Sequence, residues 1–127
     1  MKKAIYAAVG TEEERTCLHE KIIAEFSGDP DIYSVYIDSE VRMDSLRRRY
    51  YKHMIVDVLS GKADAILIRS IEDLYMTKET AQDLFWRLKL RNIQVIIGTG
   101  EGNISTENIS IDEVDEWVEV LFLQHPN

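Results

Sequence analysis

The 127-residue chain holds one cysteine, two prolines and six glycines, and each scarcity excludes something. Cys17 cannot close an internal disulfide. It lies in a predicted helix, where it reads as a half-buried small hydrophobe rather than a nucleophile, and its solitude suits a reducing compartment, the cytoplasm. No internal repeat, linker or low-complexity segment interrupts the chain. No apolar run approaches the roughly 20 residues that a membrane-spanning helix needs, and the opening MKK leads into no signal core, so no membrane association is expected. His19, His53 and His125 show no metal-ligand spacing among themselves or with Cys17, so neither a metal nor a cofactor is expected. No glycine-flanked serine marks a nucleophile elbow.

Positive charge is also in short supply. Fifteen Lys and Arg against 23 Asp and Glu leave a net charge of -8, which opposes nonspecific attraction to nucleic acid, because phosphate binding depends on cations displacing counterions. Its distribution is uneven. Arg42, Arg47, Arg48, Arg49 and Lys52 cluster, while residues 101–127 carry seven acids and neither Lys nor Arg. A hydrophobic fraction of 45% and a charged fraction of 30% are those of a soluble globular protein, and the length is that of one domain.

Strands and helices alternate along that domain. KAIYAAVG (3–10) is a short apolar run consistent with a buried strand. Thr11 and Glu14 then form a capping box, each side chain satisfying an orphan backbone donor of a helix whose stripe is Leu18, Ile22 and Phe26. Gly28 and Pro30 stop it. IYSVYID (32–38) is a second strand, and Leu46, Tyr50, Met54 and Val58 mark a second helix that stops at Gly61. ADAILIRS (63–70) is apolar enough for a strand covered on both faces. Thr77 caps a third helix with Ala81, Leu84, Phe85 and Leu88 on one face, and IQVIIGTG (93–100) is a fourth strand. Ser110 and Glu113 form another capping box, with Ile109 and Val114 as its hydrophobic staple. The helix they open carries the stripe Val114, Trp117, Val118 and Leu121. This order predicts an α/β three-layer sandwich with a mostly parallel sheet of four to five strands flanked by helices.

Few residues carry obvious chemistry. GTGEGN (98–103) follows a strand, but its spacing is not the dinucleotide fingerprint, and a turn is the favoured reading. Asp38, at the carboxyl end of the second strand, reads equally well as an active-site acid or a turn former. In RRRYYKH (47–53) helical spacing points Tyr50 and Met54 to the core. The same spacing spreads Arg48, Arg49, Lys52 and His53 over the solvent side, a solvated face more than a nucleic-acid patch.

Taken in order, these segments resemble the catalytic domain of serine recombinases, the resolvase and invertase family, most closely the large recombinases of phages and conjugative transposons. AIYAAVGTEEE (4–14) is similar to the family's opening strand and loop. VYIDSE (35–40) is similar to its second strand and following acid, and MIVDVLSGKADAILIRSIEDLY (54–75) to its helix, Gly-Lys turn, third strand and D-R-L-x-R loop. The likeness runs from Lys3 to about Ile104. It implies a single resolvase-like domain over 1–127, with a recombinase-like core at about 3–107, a short acidic helix at about 111–123, and no DNA-binding domain.

The family's chemistry is attack by a serine hydroxyl on a DNA phosphodiester, with arginines stabilising the charge that develops on the phosphoryl oxygens. By the resemblance, Gly10 stands at the nucleophile and Ala8 at the arginine two residues before it. His19 stands at a glutamine, Glu72 at the loop's aspartate, and Asp73 and Met76 at its two arginines. Asp38 and Arg48 match their family partners. Thr11 is a poor substitute nucleophile, because its hydroxyl already serves the helix cap. The resemblance thus implies a catalytically inactive member associated with DNA recombination or mobile elements. Such a domain would act through a protein partner, itself or a full-length recombinase, with weak or no independent DNA binding. Two other readings stay open: a recombinase subunit that receives its missing groups in trans and contributes Arg48, and a small-molecule or nucleotide binder around Gly10, Asp38 and Gly98. Trp117, Leu121 and Phe122 have two possible seats, this domain or another subunit.

Overall fold

Strand β1 (Lys3–Ala8) must fill both faces of a sheet, and its alternation does so. Ala4, Tyr6 and Ala8 join one core cluster, while Ile5 and Ala7, followed by Val9, join the other. A computed structural model describes residues 1–42, 48–99 and 102–124. In it β1 is paired in parallel with β2 (Ile32–Asp38) on one side and β3 (Ala65–Ile68) on the other. β4 (Gln94–Thr99) extends the parallel sheet beyond β3, and β5 (Gly102–Ser105) closes it antiparallel, giving the order β2-β1-β3-β4-β5. The predicted turn at 98–103 is therefore a hairpin, in which Gly98 pairs with Asn103.

Helix α1 (Glu12–Glu25) covers β1 and β2 from one face with Leu18 and Ile22 buried. On the opposite face lie α2 (Arg49–Leu59), α3 (Lys78–Leu90) and α4 (Val114–Gln124). Right-handed crossovers explain the split, because the chain moves outward from β1 to β2, then back across β1 to β3 and β4. The strand order reverses between β1 and β3, so the crevice at their carboxyl ends is where such a fold places a ligand. A 3₁₀ turn, Ile71–Leu74, follows β3 there.

Several local expectations need correction. Cys17 is exposed, because α1 buries the row of Leu18 and Ile22 and the preceding residue is rotated about 100° from it. The Thr11 cap forms by half a box. Its hydroxyl accepts the Glu14 N–H at 3.1 Å, but the Glu14 carboxylate takes the Thr11 hydroxyl proton at 3.2 Å instead of a backbone donor. The Ser110–Glu113 box forms, with the Ser110 N–H donating to Glu113 at 2.9 Å. Leu46, Arg47, Glu101 and His125 lie outside the described residues.

Helix α4 docks on its own domain. Val114, Val118 and Leu121 are buried, and the Trp117 ring lies 6.0 Å from that of Phe85 on α3. Phe85 is thus shared by the main core and the seat of α4. Phe85→Ala is expected to cost about 3–5 kcal/mol of folding free energy; urea unfolding followed by circular dichroism measures this.

Candidate functional site

The carboxyl ends of β1, β2 and β3 form the place to inspect, and they are built mostly of groups that satisfy one another. β1 ends in Ala8, which is buried and without polar atoms in its side chain, and the Val9 N–H donates to the Asp38 carbonyl at 2.9 Å. The chain then turns through Gly10 into the Thr11 cap. A Cβ added at Gly10 would meet only the Glu14 carboxylate, at an ordinary 3.5 Å, so packing does not demand glycine there. His19 is exposed on α1.

Asp38 ends β2 with 4% of its surface exposed. Its carboxylate accepts the Tyr6 hydroxyl at 2.8 Å and the N–H groups of Tyr50 and Tyr51 at 2.9 and 3.0 Å. Those two amides belong to the first turn of α2, which has no cap from Arg48, the residue at its own N-cap position. Asp38 is consequently a cap delivered from another element, and it also holds β1 through Tyr6. Burial and the adjoining carboxylate push the Tyr6 phenol far above its ordinary range, and burial pushes Tyr51 up to about 12.

Arg48 is the clearest departure from expectation. The helical spacing of the basic run places it on the solvent side with Arg49, Lys52 and His53, yet it is 2% exposed while those three are exposed. Its position explains this: Arg48 precedes the helix with non-helical backbone, and its side chain turns inward instead of following the helical wheel. The two terminal nitrogens donate to the carbonyls of Leu74 and Tyr75, and the guanidinium lies 5.7 Å from the Tyr51 ring centre. Nε has no hydrogen-bond partner among the described residues. The bonded carbonyls close the 3₁₀ turn, where Tyr75 adopts a left-handed backbone with φ of 49°.

The other residues singled out in the 71–76 loop diverge. Glu72 is exposed and Met76 is buried in the core. Asp73 is bound by Arg69 through Nε at 2.9 Å and a terminal nitrogen at 3.3 Å, and burial raises its carboxyl above the usual range against the pull of that cation. Arg15, which sequence reasoning passed over, donates to the Ile37 carbonyl at 2.9 Å, pairs with Glu12, and lies over the Tyr50 ring at 4.8 Å. The guanidinium groups of Arg15, Arg48 and Arg69 at these strand ends thus all have internal acceptors. Among hydroxyls, Thr11 is held by Glu14 and Ser39 donates to Glu12 at 2.6 Å. Half-buried Ser70 precedes the 3₁₀ turn, and its side chain makes no capping hydrogen bond to it.

Gly98, grouped by one reading with Gly10 and Asp38, lies elsewhere. It lines a cleft of about 480 Å³ on the α1 face with Lys3, Phe26, Leu67, Arg69 and Asn103, and neither Gly10 nor Asp38 is among the described lining residues. The cleft at Gly98 thus does not include the other two residues of that reading. No helix among the described residues is long and apolar enough to cross a membrane, and they contain no cluster of three or more His, Cys, Asp or Glu suited to a metal ion.

No family model matches this chain. No curated protein matches it. Among solved structures it is similar to the N-terminal catalytic domain of TP901-1 integrase, with a TM-score of 0.68 and 16% identity over 98% of this chain and 96% of that one. It is also similar to the C-terminal catalytic domain of ISC1926 TnpA, an IS607-like serine recombinase, with a TM-score of 0.56 and 17% identity over 80% of this chain and 74% of that one. The fold is that of serine recombinase catalytic domains, a five-stranded mostly parallel sheet between helices.

Because the folded state keeps both phenols protonated, folding free energy is full below about pH 10 and falls as pH rises, since the unfolded chain releases those protons first. Tyr6→Phe is expected to flatten that alkaline decline and to cost about 1–3 kcal/mol near neutrality, where Asp38 loses a donor. Urea titrations across the neutral-to-alkaline range read both effects.

Proposed function

We propose that this domain retains the recombinase fold without strand-cleaving chemistry and works through protein contacts, as a partner of a full-length recombinase or of itself. Phosphodiester cleavage by this family's route needs an attacking oxygen and cations aimed at the developing charge. The observation that carries the reading is the fate of the cations. Arg48 is buried on two carbonyls, Arg69 is bound by Asp73 at the position where the resemblance calls for an arginine, and Arg15 is tied to Ile37 and Glu12.

The missing oxygen supports it further. Gly10 has no side chain, and the neighbouring Thr11 hydroxyl both accepts from and donates to Glu14. A buried Arg48 also leaves little for this chain to contribute to a site completed in trans. Net charge points the same way, since α4 and its entry present Asp112, Asp115, Glu116 and Glu119 on exposed positions that would oppose a phosphate backbone.

Gly10→Ser separates loss of the nucleophile from loss of the cage. The space at Gly10 accepts a side chain, so the variant is expected to change stability by no more than about 0.5 kcal/mol. Neither it nor the parent chain is expected to form a covalent adduct with a nicked suicide DNA substrate. An adduct with the parent chain, read by denaturing electrophoresis, overturns the proposal; an adduct with Gly10→Ser alone shows that the cations remain competent.

A further inference from the structure

Helix α3 turns a row of side chains to solvent that neither the core nor the strand-end site uses. Glu79, Asp83, Arg87 and Arg91 recur every four residues along one exposed face, with acids in the first half and guanidinium groups in the second. Beside them Trp86 and Leu90 are 44% and 56% exposed. Trp86 separates two hollows of opposite character. Toward the end of α3 lies an apolar groove of about 400 Å³, lined by Ile55 and Leu59 of α2 and by Leu84 and Leu88, with Arg87 and Arg91 at its rim. Toward the start of α3 lies a hollow of about 310 Å³ lined by Glu79, Gln82, Asp83 and Asp115.

We propose that this face is a self-complementary interface whose occupant is a second copy of the chain, the two α3 helices packing antiparallel about a two-fold axis that crosses the exposed face at the level of residue 85. A two-fold contact presents the same patch from both sides, so each residue must suit its symmetry mate. Antiparallel pairing about that position sets Glu79 of one copy against Arg91 of the other, and Asp83 against Arg87. It also lays the basic rim of each copy over the acidic hollow of the other and brings both Trp86 rings to the centre, where aromatic side chains anchor interfaces. A parallel arrangement would oppose like charges.

The charge order selects this occupant over others. A nucleic acid or a uniformly acidic peptide would meet Glu79, Asp83 and Asp115 together with the two arginines, and at a net charge of -8 random self-association is repelled. Only a partner with the opposite polarity along its axis matches both halves, and an inverted α3 is such a partner. Asp83 and Arg87 are joined at 2.9 Å within the helix and would exchange partners, whereas no ion pair among the described residues engages Glu79 or Arg91.

This inference rests on the reading that the domain works through protein contacts, and it names the surface and the partner. Sedimentation velocity of the full chain over a concentration series tests it, with thermal unfolding confirming that each variant is folded. A dimer is expected, weakened about tenfold or more by Arg91→Glu and likewise by Trp86→Ser. The double exchange of Glu79→Arg with Arg91→Glu restores it, because the axis sets these two positions opposite each other. A monomeric parent chain, a dimer indifferent to Arg91→Glu, or a double exchange that fails to restore association overturns the interface. None of these results bears on strand cleavage, which the DNA adduct reads separately.

Discussion

A carboxylate almost sealed from water has to be met by donors from the protein, and at Asp38 three of them converge. A buried charge left unpaired would cost several kcal/mol. The Tyr6 hydroxyl brings β1 to it, and the amides of Tyr50 and Tyr51 bring the start of α2. Three elements, β1, β2 and α2, are therefore fastened at one side chain. Arg48 extends the same knot, since its guanidinium packs beside Tyr51 and holds the carbonyls that end the 3₁₀ turn after β3. The carboxyl edge of the sheet is closed from within by groups that could otherwise have faced a ligand.

Asp38 and Arg48 are the two positions that the sequence resemblance aligns with family site residues, and their hydrogen bonds are those of a framework. Arg69 faces Asp73, and α1 begins with Thr11 and Glu14 locked together. The guanidinium groups of Arg15, Arg48 and Arg69 at the strand ends are already bound by acceptors of the protein itself. The more distinctive surface features lie on α3 and α4, away from the carboxyl ends of the strands.

Much of the architecture was legible because period and punctuation agreed. The apolar runs that became β1 to β4, the caps at Thr11, Thr77 and Ser110, and the buried rows Leu18–Ile22 and Ala81–Phe85–Leu88 all follow from local rules. The site was less legible, because its decisive contacts are long-range. Arg48 sits among neighbouring basic residues, so a wheel drawn through them turns it outward. The inward path depends on its lying just before the helix and on carbonyls about 26 residues away. The amphipathic stripe of α4 announced a docking face without saying where it docks; the Phe85 ring supplied that answer. Arg69 and Asp73 did carry a signal, a four-residue spacing of opposite charges, which the loop assignment hid.

Arg48, which the resemblance aligns with a family arginine, holds the fold together as a structural strut. Arg48→Ala tests it when stability and affinity for a short DNA duplex are measured on the same preparation. The account predicts a loss of about 2–4 kcal/mol in folding free energy, from two charge-assisted hydrogen bonds and their packing, with duplex retention unchanged. Stability within about 0.5 kcal/mol of the parent, together with a drop in duplex affinity, would contradict it and return Arg48 to the phosphate.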